Sequence, residues 1–369
     1  MRISDFSVKN IEKELESKLK EYENTLMQFS PIQKNEINRR IRQLENRFSS
    51  LTKFFKFQKY SAADDFLFKY EKLPPFGKEY WFLYFVEPKT KHQLIVTFGR
   101  YSSHININKL ELTGSSEETN ISECAAVAWM FDKKRKILLN SKQKVEVVYG
   151  EKDSKKKIEF EGKGNKFNFS GKYPNYNLSL NTKMGNTHLE LYRSKKGKPF
   201  EIQHLFAGNL GFGLVNLYFD FKGTLLGKKI EGKCYVQKVI VTSPFIPWNW
   251  GRFYFQDGSI FEFFTPYIPF LPTKVKFASL VHYYDAKKNK TYKLKGLKIE
   301  KAAGLSRWHI FGDDYSLYAR PYSEFLFKFE GLGFFKYYEY FTEAVDFYVM
   351  GKQLENGVGI IEDAYGFLV

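Results

Sequence analysis

Cysteine is nearly missing: the 369 residues contain two, Cys124 and Cys234. They lie far apart and outside any CxxC or Cys/His spacing, so the pattern excludes a disulfide framework and a zinc site, and neither a metal nor a cofactor is expected. A reducing compartment fits. Long apolar runs are missing as well. No stretch of about 18 uncharged apolar residues occurs, so no transmembrane helix is expected and membrane contact is limited to a peripheral kind. Met1 to Lys20 alternate charge with hydrophobes, which is not the pattern of a secretory signal peptide, and a cytoplasmic location is expected. Also absent are a Walker loop, a dinucleotide fingerprint, a GxSxG elbow and an HExxH motif. Gly208-Asn-Leu-Gly211-Phe-Gly213 is Gly-rich, but it lies between strand-like segments with no helix to follow, so a phosphate cradle is not expected.

What the chain has in quantity is aromatic residues, 38 Phe and 25 Tyr, and positive charge, a formal +17. The charge is mostly Lys, spread from end to end, with short runs such as Lys133-Lys134-Arg135-Lys136 and Lys155-Lys156-Lys157. Runs of that length suit solvated hairpin tips, so a solubilising surface is expected rather than a specific nucleic-acid footprint. The alternative is a basic β-barrel that binds nucleic acid through interleaved aromatics and Lys.

The first segment has a helical period. Ile11, Leu15, Leu19, Tyr22, Leu26 and Phe29 recur at three- and four-residue steps, and Ile37, Ile41, Leu44, Phe48, Leu51 and Phe55 continue the pattern. Between them, Ser30-Pro31-Ile32-Gln33 reads as an N-cap, a first-turn Pro and a capping-box Gln. The spacing predicts an antiparallel helical hairpin over residues 1–60. Its role is packing against the body or self-association; recruitment of partners by a non-catalytic interaction protein is the other reading.

After Tyr60 the texture changes to short aromatic or β-branched runs bounded by Gly, Asn, Asp or Pro, among them Tyr80 to Phe85, Gln93 to Phe98, Leu214 to Phe221 and Ile260 to Phe264. Consecutive antiparallel strands follow, forming two barrels or sandwiches over 61–228 and 229–369, with Gly223 to Gly232 as their connection.

Trp248 and Trp250 stand at i and i+2, which on a strand puts both rings on one face, and Asp257-Gly258 reads as the turn that closes that strand. Such a face suits either an aromatic core layer or the lining of a cavity for an apolar ligand, with Gln237 and Lys238 as polar groups beside it.

Three stretches carry a resemblance to a known family. Lys78-Glu79-Tyr80-Trp81-Phe82 followed by Gln93 to Phe98, the Tyr235-Val-Gln-Lys segment with Trp248-Asn-Trp250 and Asp257-Gly258, and the terminal Gly357-Val-Gly359-Ile-Ile-Glu362-Asp-Ala-Tyr-Gly366 together resemble the superfamily of carotenoid 1,2-hydratases, tocopherol cyclases and related lipocalin-like proteins. The resemblance implies two lipocalin-like antiparallel β-barrel domains, here preceded by the helical hairpin, and a bound hydrophobic ligand of isoprenoid or lipid type. If the chain is an enzyme, it implies a hydro-lyase or cyclase acting on an isoprenoid double bond. Hydratases of the family carry an Asp-His-x-Trp-Gly run where this chain has Gln237, Lys238, Val239 and Ile240. Protonating an alkene requires an acid in a dry pocket and aromatic faces that stabilise a carbocation. The candidates for chemistry are therefore Glu79, Lys238 and Asp257, and for ligand contact Trp81, Gln237, Trp248, Trp250, Tyr254 and Glu362.

Overall fold

Strands that will be buried on one face alternate wet and dry residues, whereas strands buried on both read as unbroken apolar runs. Both kinds occur here. The computed structural model describes Ala63, Leu73 and residues 77–368 apart from 103, 114–120, 150–157, 163–165, 195–199, 208–209, 243–244, 246, 271–272, 277–278, 303–306 and 332. Every regular element among the described residues is a β-strand. The helical hairpin expected over residues 1–60 lies outside them.

The chain begins with β1 (Lys78–Glu87), β2 (His92–Tyr101), the short β3 (Ile105–Ile107) and β4 (Leu110–Leu112), β5 (Ile121–Asp132) and β6 (Lys134–Tyr149). It continues with β7 (Ile158–Gly162), β8 (Phe167–Lys172), β9 (Asn175–Thr182), β10 (Gly185–Arg193), β11 (Phe200–Ala207), β12 (Leu210–Leu225) and β13 (Lys228–Val241). The first sheet runs β10-β9-β8-β7-β6-β5-β2-β1-β13-β12, and the pairing of His188–Arg193 with Phe219–Thr224 joins β10 back to β12. That pairing closes an antiparallel barrel, and β11 pairs with the first half of the β12 edge whose second half carries β10.

The second sheet contains β14 (Trp248–Tyr254), β15 (Ile260–Phe270), β16 (Thr273–Lys276), β17 (Leu280–Asp285), β18 (Lys290–Lys293) and β19 (Lys298–Lys301). Its long strands follow: β20 (Trp308–Phe311), β21 (Tyr315–Gly331), β22 (Gly333–Val349), β23 (Lys352–Leu354) and β24 (Gly357–Leu368). The order is β18-β17-β15-β14-β24-β22-β21-β20-β19. Among the described residues no ladder joins its end strands β18 and β19, so barrel closure is seen for the first sheet alone.

Two expectations about organisation change. Gly223 to Gly232 does not connect the two sheets. It lies in the β12–β13 hairpin, whose turn Leu226-Gly227 takes positive φ at both residues (51° and 80°), the backbone that matches the twist of paired strands. The chain passes from one sheet to the other between Val241 and Trp248. Moreover, β3 and β4, from the first half, belong to the second sheet: Ile107 pairs with Phe329 on β21. The two halves are interleaved.

Three apolar layers result. Trp81, Leu83, Phe85, Val96, Phe98 and Phe169 fill the barrel; Phe253, Phe261, Tyr283, Trp308 and Phe347 fill the far side of the second sheet. Between the sheets, Phe82, Tyr84, Val86, Ile95 and Trp129 from the barrel's outer face meet Trp250, Tyr254, Phe341 and Ile360. Strands β1, β2 and β5 are thus buried on both faces, while β9 alternates exposed and buried residues. Each large apolar side chain fully withdrawn from water contributes about 1.5–3 kcal/mol, so this middle layer is a core rather than a loose contact between independent domains.

Candidate functional site

The middle layer holds carboxyl groups that an apolar core does not ordinarily admit. On β22, Tyr337, Glu339 and Phe341 share one face by alternation, and that face looks toward the barrel. Glu339 stands directly opposite Glu362 of the neighbouring β24, and Glu362 stands opposite Trp250 of β14. The carboxyl pair therefore belongs to one cross-strand row and shares a single dry environment. Glu339 has no exposure and Glu362 8%.

Tyr337 sits between them. Its hydroxyl oxygen lies 2.7 Å from Glu339 Oε1 and 2.6 Å from Glu362 Oε1. A tyrosine carries one hydroxyl proton, and two O···O contacts this short require two protons. The tyrosine donates to one carboxylate, so the second carboxyl must be protonated and donate to the tyrosine oxygen. The outer oxygens accept from indoles: Trp129 Nε1 donates to Glu339 Oε2 at 2.5 Å from across the interface, and Trp248 Nε1 donates to Glu362 Oε2 at 2.7 Å.

Electrostatics agree with the proton count. Burial, and then the neighbouring Glu362, push the Glu339 carboxyl up to about 8 against the pull of the Trp129 and Tyr337 hydrogen bonds. Burial pushes Glu362 up to about 7 against Tyr337 and Trp248. Desolvation dominates in both cases, and among the described residues no cation acts on either carboxyl to offset it. The arrangement can hold and release a proton near neutral pH.

One turn of the pleat away on the same face lies a cation. Arg252 on β14, 4% exposed, is ion-paired to Glu262 and donates through Nε to Tyr254 Oη at 2.9 Å. Its guanidinium lies over the rings of Tyr235 at 4.7 Å and Tyr218 at 4.9 Å. Beside it, Tyr235 Oη donates to Asn216 Oδ1 at 2.7 Å and Gln237 Nε2 donates to the same oxygen at 3.1 Å. Trp250 donates to Glu262 at 3.0 Å and stacks on Tyr235 at 5.6 Å.

Strand parity divides the candidates named from the sequence. Gln237, Trp248, Trp250, Tyr254 and Glu362 reach the layer between the sheets. Trp81 and Lys238 are opposite one another on β1 and β13 and point into the barrel, one residue out of phase with Phe82 and Gln237. There Lys238 Nζ donates to the Ala63 carbonyl at 2.7 Å and lies 4.5 Å from the Trp81 ring centre. Glu79 shares that parity and is ion-paired to Arg100 at 2.7 Å with neither side chain exposed, a geometry that stabilises the carboxylate and not the acid. Asp257 is exposed and caps its own turn, accepting from Ser259 N at 2.8 Å. Glu79, Lys238 and Asp257 thus lie apart from the carboxyl pair. Lys238→Met should accordingly lower stability, by about 1–3 kcal/mol for the carbonyl left without its donor; melting curves check this.

Glu339, Tyr337, Trp129 and Arg252 were not singled out from the sequence. A signal for the first existed: Glu339 stands between Tyr337-Tyr338 and Tyr340-Phe341 and shares the parity of Tyr337 and Phe341. No family model and no curated protein matches the chain. Among solved structures it is similar to the AttH-type protein of Nitrosomonas europaea, at 12% identity and a TM-score of 0.46 over 84% of this chain and 96% of that one. It is also similar to CghA with Sch210972, at 8% identity and 0.40 over 79% and 88%. A third likeness is to kievitone hydratase from Nectria haematococca, at 12% identity and 0.40 over 84% and 96%.

Proposed function

We propose that the layer between the two sheets binds an apolar, isoprenoid-like or lipid-like molecule and that the Glu339–Glu362 pair is the proton donor of a hydratase- or cyclase-type reaction on its double bond. The observation that carries this reading is the Tyr337 hydroxyl shared by two buried carboxyls, which requires a carboxylic acid in an aromatic enclosure. In the reaction, an alkene carbon takes the carboxyl proton, forming a C–H bond and leaving a carboxylate and a carbocation. The faces of Trp248, Trp250 and Tyr337 attract that cation. Attack by water gives an alcohol and returns a proton to the carboxylate; attack by a second double bond followed by proton loss gives a ring and restores the acid.

Extraction of the purified protein with organic solvent, followed by mass spectrometry, tests binding, and a co-purifying isoprenoid or fatty acid is expected. Adding long-chain isoprenoids should also quench or shift tryptophan emission, with the response weakened in Trp250→Ala. Turnover in deuterated water should place deuterium on carbon in the product, and Glu362→Gln should lower the rate by about 100-fold or more. If the extract is empty and a panel of apolar ligands leaves emission unchanged, the layer is only a core.

A further inference from the structure

One row of side chains crosses the outer face of the barrel in register: Tyr218 on β12 faces Tyr235 on β13, Tyr235 faces Tyr84 on β1, Tyr84 faces Ile95 on β2, and Ile95 faces Trp129 on β5. Three of the four polar tips in the row are used. Tyr218 Oη donates to Glu201 at 3.4 Å, Tyr235 Oη to Asn216 at 2.7 Å and Trp129 Nε1 to Glu339 at 2.5 Å. Tyr84, with no exposure, has no hydrogen-bond partner for its hydroxyl among the described residues.

The facing sheet presents the same anomaly. Strand β21 slips register against β22 between Pro321 and Ser323, and such bulges re-aim side chains. The Tyr322 ring packs on Phe131 at 4.6 Å, and Ser323 stands opposite Phe341, whose ring stacks both on Tyr84 at 6.3 Å and on Trp129 at 3.9 Å. The hydroxyls of Tyr322 and Ser323 are also buried and without partners among the described residues. Tyr84 and Ser323 both lie at Phe341, and Tyr322 is near enough to Tyr84 to act on its phenol; buried hydroxyls are ordinarily satisfied, and three left open in one neighbourhood point to a common acceptor.

We infer that Tyr84, Tyr322 and Ser323 are donors to a carbonyl oxygen of the bound molecule, so that the ligand is an apolar ketone or aldehyde whose carbonyl docks one ring away from the Trp129–Glu339 hydrogen bond. This inference rests on the proposal that the layer binds an apolar molecule, and it names that molecule's class. Burial and the neighbouring Tyr322 and Tyr254 hold the Tyr84 phenol well above its usual range, so it stays an O–H donor throughout the neutral range.

The test compares geranylacetone with the hydrocarbon carrying a methylene in place of its carbonyl, titrated into the full-length protein and into Tyr84→Phe and Tyr322→Phe. The ketone should bind at least tenfold more tightly, since each hydrogen bond to a buried donor contributes roughly a factor of ten. Each variant should raise the ketone Kd by about tenfold and leave the hydrocarbon Kd and the melting temperature unchanged. The carbonyl stretch of bound ketone should shift to lower frequency in the wild type and return in the double variant. Equal binding of the two probes, or variants indifferent to the ketone, overturns the carbonyl anchor while the apolar site stands. Binding of neither probe overturns both.

Discussion

Replacing Arg100 by Met is expected to destabilise the protein by about 3–5 kcal/mol, because it leaves the Glu79 carboxylate inside the barrel without its counter-charge. The guanidinium contacts Glu79 Oε2 through Nε at 2.8 Å and Nη2 at 2.7 Å, and Nη1 donates to Ser122 at 3.2 Å. Against a total stability of about 5–15 kcal/mol, the single variant will be partly unfolded under mild denaturant. Removing both charges should behave differently. Glu79→Leu/Arg100→Met deletes the desolvation penalty with the attraction and should recover most of the loss. Urea midpoints for the two variants decide the matter: a single variant within about 0.5 kcal/mol of wild type shows that the pair does not hold the barrel.

The carboxyl pair makes a prediction of opposite sign with pH. Native Glu339 and Glu362 hold their protons up to about 8 and about 7, above the ordinary carboxyl value of 4.5 to which they return on unfolding. The native state therefore binds more protons than the unfolded state between these limits, and stability falls as pH rises. The contribution is fully present below about pH 4.5 and is lost as pH rises through 7 to 8. Each pH unit between the two values is worth about 1.4 kcal/mol per group, so the loss should reach several kcal/mol. Because other groups titrate too, the comparison is with Glu339→Gln/Glu362→Gln, whose stability should decline less between pH 5 and pH 9. Parallel curves for the two proteins contradict the assignment. Turnover of the proposed reaction should follow the same limb and fade above pH 8, where the acid is spent.

Much of this was legible in the sequence where pattern and burial coincide. Trp248 and Trp250 share a face, Asp257-Gly258 turns the chain, and runs such as Gln93 to Phe98 are strands. Strand β5 was not read because Ala125-Ala-Val-Ala128 lacks the β-branched and aromatic bulk that marks a strand; it is buried on both faces. The connection between sheets was misplaced because Gly223 to Gly232 carries turn residues for a hairpin as well as it would for a linker. Glu79 and Glu362 look alike along the chain, each a carboxylate in a strand that also carries large apolar residues. What separates them is the residue delivered from another strand: Arg100 opposite Glu79, and a second carboxyl opposite Glu362. Such pairing is decided by register, which the local sequence does not contain.

The central claim is that a carboxylic acid persists between the sheets at neutral pH, and infrared spectroscopy of the carboxyl C=O stretch between pH 5 and pH 9 tests it most directly. A protonated-carboxyl band should remain at pH 7, disappear between about pH 7 and pH 9, and be absent at pH 7 from Glu339→Gln/Glu362→Gln. A wild-type spectrum at pH 7 with no such band would mean that both carboxyls are ionised, and the pair could not then act as the acid.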